Sequence, residues 1–344
     1  MTSIDALLGV ELPIIKAPMA GVQDEALAIA VSEAGGLGSM PCALLNPAQL
    51  EAALERFAML ARPINLNFFC HSMADPDPAQ EQLWRQALAP YYREFDIEPP
   101  QPTTAGARRP IDESTVDLLE RYRPRIVSFH FGLPAQHLLE RIKAWGARVL
   151  ASATTLEEGM WLERHGADIV IAQGIEAGGH RGCFLSDDPA QQPPTSELVA
   201  SLSRYLSVPL IAAGGIGDRS DVESMLAAGA AAVQVGTAYL SCPEATTTAV
   251  HRAALRQSTR QSAITNLFSG RPARGLVNRL MRELGPLSDL PPEFPWASQA
   301  LAPLRAEAEA RSLDDFTPLW SGTRHGRFID VGAAAVTRRL AGLD

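Results

Sequence analysis

The sequence predicts a (β/α)8 barrel of the TIM type carrying an added, smaller helical domain. Three observations predict it. Eight short apolar runs recur between residues 13 and 237, and most are continuous rather than alternating, the mark of parallel strands covered on both faces. Amphipathic helical segments lie between them, which makes βαβ units. Two stretches, 70–111 and 244–325, interrupt this rhythm with more chain than a βα loop needs. Eight βα units favour a closed barrel; an open doubly wound sheet is the alternative.

The strand runs are PIIKAPM (13–19), LGSMPC (37–42), PINLNFF (63–69), RIVSFHF (125–131), RVLASA (148–153), DIVIAQG (168–174), PLIAAGG (209–215) and AVQVGT (232–237). The first helical segment, DEALAIAVSEAG (24–35), has acids in its first turn and glycine at its end. DESTVDLLERY (112–122), PAQHLLERIKAWG (134–146), TLEEGMWLERHG (155–166), SELVASLSRYL (196–206) and DRSDVESMLAAG (218–229) follow the same logic. Residues 1–243 are therefore assigned to the barrel. The excursion over 70–111 carries a helical piece around Trp84 and the proline-rich IEPPQPTTAGARRP. Residues 244–325 read as a helical lobe over one end of the barrel, and 326–344 as a helix returning to it.

Composition narrows the function. The chain has 344 residues, 46% of them hydrophobic, enough for a sizeable core. Its net charge of −9 is dispersed, so the basic footprint of a nucleic-acid binder is missing. Cys42, Cys70, Cys183 and Cys242 are far apart and form no CxxC, which suits reduced thiols in a cytoplasmic protein. MTSIDALLGVELPII lacks the basic start and long apolar run of a secretory signal. No apolar stretch approaches the roughly 20 residues that span a bilayer. GxxxxGK[ST], GxSxG, HExxH and an initial GxGxxG are absent, so neither a P-loop, a hydrolase elbow, a metal site nor a dinucleotide fingerprint is expected.

In such a barrel the chemistry lies at the C-terminal ends of the strands. That rule singles out Met19, Asn67, His130, Gln173 with the following GIEAGGHRG, Gly214-Gly215 and Gly236-Thr237. AAGGIGD after strand seven and QVGTA after strand eight together suggest a phosphate site built from backbone N–H groups and a helix N-terminus. Gln173 can bond a heterocycle edge through both halves of its amide. Gly178 and Gly179 let backbone approach the same ligand, and His180 then lies at the barrel mouth. A phosphate site at strands seven and eight with an amide at strand six suits flavin mononucleotide. His180 in isolation also fits a surface turn, and His130 also fits a core position on strand four.

The ordered motifs resemble those of the nitronate monooxygenases, most closely class I. PIIKAPMAG (13–21) with AGGLGSM (34–40) looks like the family's first motif, SFHFGLP (128–134) its second, QGIEAGGHRG (173–182) its third and VGTAYLSCPE (235–244) its fourth. SGRPARGLVN (269–278) is similar to a segment of the family's later lobe. The resemblance implies non-covalently bound FMN and oxidation of alkyl nitronates by O2 to carbonyl compounds and nitrite. It places FMN contacts on Asn67, Gln173, Gly178, Gly215, Gln234, Val235, Gly236 and Thr237, with Met19 against the flavin. It makes His180 the catalytic histidine, either as a base toward neutral nitroalkanes or, protonated, as the holder of the anionic nitronate; class I resemblance favours the second. His130 is a substrate-side candidate. The ending LWSGTRHGRFID (319–330) departs from the LWAGQ-like segment expected of the family. Two other readings share the residues: an FMN-dependent NAD(P)H reductase on the same fold, and a non-catalytic flavin-binding protein.

Overall fold

The computed structural model describes residues 4–73, 75–101 and 108–343. Eight parallel strands form a TIM barrel: β1 Ile14–Lys16, β2 Gly38–Pro41, β3 Ile64–Phe69, β4 Ile126–His130, β5 Arg148–Ala153, β6 Ile169–Gln173, β7 Leu210–Ala213 and β8 Ala232–Val235. Their hydrogen-bonded order is β1-β8-β7-β6-β5-β4-β3-β2. A parallel bridge between Ile15 and Leu37 joins the first strand to the second and closes the ring. Each strand lies within two or three residues of its expected position.

Alternation along the strands explains why both faces are apolar. Ile15, Ile126, Leu150, Ile169, Ile171 and Ile211 meet inside the barrel. Ile14, Val127, Val149, Val170, Ala212 and Val233 point outward, beneath the helices. Those helices start where the sequence supplies a cap. Asp24, Asp112, Thr155 and Asp218 each accept a backbone N–H in the first turn with a side-chain oxygen. The helix Pro47–Ala58 was not among the expected ones. Its start is nevertheless written in the sequence: Asn46 and Gln49 form a reciprocal capping box around Pro47. The terminal helix Ala333–Ala341 packs against the helices Glu25–Glu33 and Arg219–Ala227.

The second core differs from a simple helical lobe in two ways. The excursion helix Pro78–Phe95 belongs to it: Trp84, Leu88 and Tyr92 are buried with Leu267, Leu301, Leu304 and Phe316 from the later segment. The Trp84 indole donates to the Ala297 carbonyl at 3.1 Å, so its polar edge is satisfied inside that core. The later segment also contains strands. Ser262–Thr265 and Ala273–Leu276 form an antiparallel hairpin, and its second strand pairs with Gly179–His180 of the barrel. Of the proline-rich stretch IEPPQPTTAGARRP, residues 102–107 lie outside the described residues.

Candidate active site

One cavity of about 1260 Å³, counted to its open mouth, occupies the C-terminal end of the barrel. Met19, Asn67, His130, Gln173, Gly178, His180, Gly215, Gln234, Val235, Gly236 and Thr237 all line it. Strand parity and exit geometry thus bring these candidates together, while Glu176 and Arg181 of the loop after β6 are not part of the lining. The cavity also takes Phe69, Ser152, Arg108, Trp320, Gly322 and Arg324, which the sequence reading did not include.

The loop after β6 is held by its own side chains. The Gln173 carbonyl oxygen accepts from the Gly182 N–H at 2.7 Å, and its amide nitrogen donates to the His180 carbonyl at 3.1 Å. Both ends of the amide therefore pin residues 180 and 182. Arg181 is fully buried and donates to the Gln192 side-chain oxygen and to the carbonyls of Ala177 and Gly174, at 2.7, 2.8 and 2.6 Å. Pairing of His180 with Ala273 fixes the loop from the other side.

The two histidines have distinct surroundings. His130 contacts the Ser152 hydroxyl through Nδ1 at 3.1 Å and the His180 carbonyl through Nε2 at 3.2 Å. A carbonyl only accepts, so Nε2 carries the proton and Nδ1 accepts from Ser152. His130 thus supports the backbone of residue 180. The His180 ring sits among Phe69, Phe131, Phe294 and Trp320, with centroids 5.5 to 6.5 Å away. Its Nε2 lies 2.8 Å from the Ser269 hydroxyl, which is 3.3 Å from the Arg271 carbonyl. With the hydroxyl proton on that carbonyl, Ser269 accepts Nε2–H and leaves Nδ1 as the basic nitrogen.

Desolvation, then the charges of Arg108, His130, Arg271 and His71, hold the His180 pKa well below its ordinary value. Burial is also the leading cause that pushes His71, His130 and His251 down to about 4. The sign for stability follows. Unfolded imidazoles titrate near 6.5. Their contribution is whole above that pH and drains as pH falls toward the folded values. The melting temperature should drop on the order of 10 °C between pH 7.5 and pH 5, measured by calorimetry. Equal melting at both values would contradict neutral, buried imidazoles.

The other end of the cavity is made of backbone. Gly214 and Gly215 have φ of +123° and +66°, a conformation that favours glycine. A Cβ on Gly214 would fall 2.7 Å from the Thr195 hydroxyl and 2.9 Å from the Ala177 nitrogen. These turns lead into the helix Arg219–Ala227. Gln234 lines the cavity, and its side-chain oxygen is buried with no partner. An orphaned acceptor beside a glycine cradle fits a bound group with an N–H edge and a phosphate.

The fold defines a (β/α)8-barrel enzyme whose large cavity opens at the strand exits. The nitronate monooxygenase family pattern matches residues 2–336, and the chain belongs to that family. It is 40% identical over 338 residues to a nitronate monooxygenase of Pseudomonas aeruginosa, covering 97% of this chain and 96% of that one. A nitronate monooxygenase of Paraburkholderia phytofirmans is 40% identical over 339 residues, with 97% and 92% covered. Among solved structures, a nitroalkane oxidase from Streptomyces ansochromogenes superposes with a TM-score of 0.88 at 33% identity, covering 98% of this chain and 96% of that one. No helix among the described residues is long and apolar enough to cross a membrane.

Proposed function

We propose that this chain is an FMN-dependent oxidoreductase that uses O2 to convert alkyl nitronates to carbonyl compounds and nitrite. The observation that carries this reading is the charge of the cavity. Among the described residues lining it there is no aspartate or glutamate, while Arg108 and Arg324 are both present. A cavity so lined favours anions, and both a nitronate and a flavin phosphate are anionic.

FMN, when bound, supplies the electron-transfer chemistry with the nitronate and O2. The residues that would hold it are Gly214, Gly215, Gly236 and Thr237 at the phosphate and Gln234, Gly178 and Met19 along the ring, while Gln173, with both ends of its amide bonded to residues 180 and 182, holds the loop that carries Gly178. The protein's own contribution is position and electrostatics. Phe69, Phe131, Phe294 and Trp320 keep water away from His180. Arg108 and Arg271 lower the cost of bringing a negative charge to that ring. In the free protein His180 is neutral at pH 7. An anion seated beside it raises its proton affinity, so a nitronate can bind to the neutral ring by hydrogen bond or draw a proton with it. The same neutral ring is a competent base toward a neutral nitroalkane.

The purified protein should be yellow and release FMN, not FAD, on denaturation, read by chromatography. It should then consume O2 and form nitrite with alkyl nitronates. Release of FAD, or a colourless protein that FMN cannot reconstitute, would overturn the cofactor assignment.

A further inference from the structure

Residues 320–324 run the length of the cavity as a strap. Trp320 packs 5.5 Å from the His180 ring and bridges to Gly275 of the small sheet. The Gly322 N–H donates to the Thr237 hydroxyl at 2.9 Å, and the Thr323 N–H donates to the Glu176 carbonyl at 3.1 Å. The strap is therefore stapled both to the loop after β6 and to the turn after β8. It passes so close that a Cβ on Gly178 would lie 2.5 Å from the Gly322 nitrogen. The next side chain, Arg324, lines the cavity where Gly214, Gly215 and Gly236 form the glycine cradle. Its Cβ would be 3.0 Å from a Cβ on Gly217. One guanidinium nitrogen bonds Asp221 at 2.9 Å, and the other oxygen of Asp221 accepts the Gly217 N–H at 2.9 Å. Asp221 thus ties the arginine to the backbone of the cradle.

We propose that Arg324 recognises the phosphate of the bound flavin nucleotide, and that this side chain lets the site prefer FMN over riboflavin. The inference rests on the reading of the cavity as an FMN site. Three features carry it. The stapled strap fixes where Arg324 emerges. The ion pair with Asp221 uses part of a five-donor fork and leaves N–H groups for a second anion. Asp218 at the N-cap and Asp221 in the first turn bring two carboxylates to the start of the helix Arg219–Ala227, and negative charge there disfavours an anion nearby. Arg324 pairs with Asp221 and Arg327 with Asp218, which neutralises both. The segment 319–330, unlike the ending expected of the family, then has a task at the cofactor through Arg324 besides the packing of Trp320 on His180.

The test is titration of full-length protein, stripped of flavin, with FMN and with riboflavin, followed by flavin fluorescence. Wild type, Arg324→Gln and Arg324→Lys are compared. Arg324→Gln should weaken FMN about tenfold or more and leave riboflavin within about twofold. Arg324→Lys should recover part of the loss, since it restores the charge without the fork. Added salt should weaken FMN binding more in wild type than in Arg324→Gln. Equal losses for both flavins would reduce Arg324 to a scaffold residue and overturn the proposal, as would unchanged FMN affinity. Failure of the wild-type protein to bind FMN at all would instead refute the cofactor assignment on which the inference rests.

Discussion

Arg181→Met is expected to empty the cofactor cavity and to lower the melting temperature by about 5–10 °C. Arg181 is fully buried and its hydrogen-bond partners are an amide oxygen and two loop carbonyls. Burial, then the neighbouring Arg274, pushes its pKa down to about 9, so it remains charged at neutral pH. Methionine keeps much of the stem volume but none of the donors. Three acceptors then lose their partner, each costing about 1–3 kcal/mol when left unsatisfied. Removal of a desolvated cation offsets part of that. The net loss is on the order of 3 kcal/mol. The effect on FMN is larger than on the fold, because Gly174 and Ala177 are the carbonyls that shape the run into Gly178, Gly179 and His180. Arg181→Lys should rescue little, since an ammonium cannot reach three divergent acceptors as a planar fork does. FMN content per chain and scanning calorimetry measure both parts. Full flavin occupancy with unchanged melting would show that the loop holds its shape without the guanidinium.

The sequence displayed the barrel because each strand is a local feature with a local signal. Runs such as DIVIAQG and PLIAAGG are apolar on both faces and end in glycine or an amide, so both the strand and its exit can be read from a few residues. The residues placed at the exits, from Met19 to Thr237, accordingly line one cavity. What escaped the sequence depends on distant pairing. Trp320, Gly322 and Arg324 reach the cavity only because the strap pairs with Gly275 and bonds Glu176 and Thr237. The two-residue strand Gly179–His180 has no periodicity of its own and exists through Ala273 and Arg274. The place of the excursion helix Pro78–Phe95 in the second core is not written in its own stretch, since Trp84 and Tyr92 find their partners more than 200 positions away. The helix Pro47–Ala58 is the exception: its capping box was legible at Asn46 and Gln49.

His180→Asn should reduce nitronate oxidation by about 10²-fold or more while leaving FMN content nearly unchanged. Asparagine keeps roughly the size and a donor but cannot act as a base or accept a proton charge. The His180 backbone carbonyl, which both Gln173 and His130 hold, is untouched by the substitution, so the loop should persist. The shape of the loss separates the possible tasks of the ring. If it holds the anion, KM for the nitronate rises; if it is a base, activity on neutral nitroalkanes disappears first. pH adds a second axis. The free ring is held well below its ordinary pKa by desolvation and by surrounding cations. A histidine that had to be protonated in the free enzyme would lose kcat/KM as pH rises from 5 to 7. A neutral ring predicts the opposite sign: kcat/KM constant from about pH 7 upward and falling only on the acid side, where the ring gains its proton. The asparagine variant should lack that acid limb. Near-normal turnover of both substrate forms in His180→Asn would remove the ring from the chemistry and shift attention to His130, whose Nε2 already bonds the same stretch of backbone.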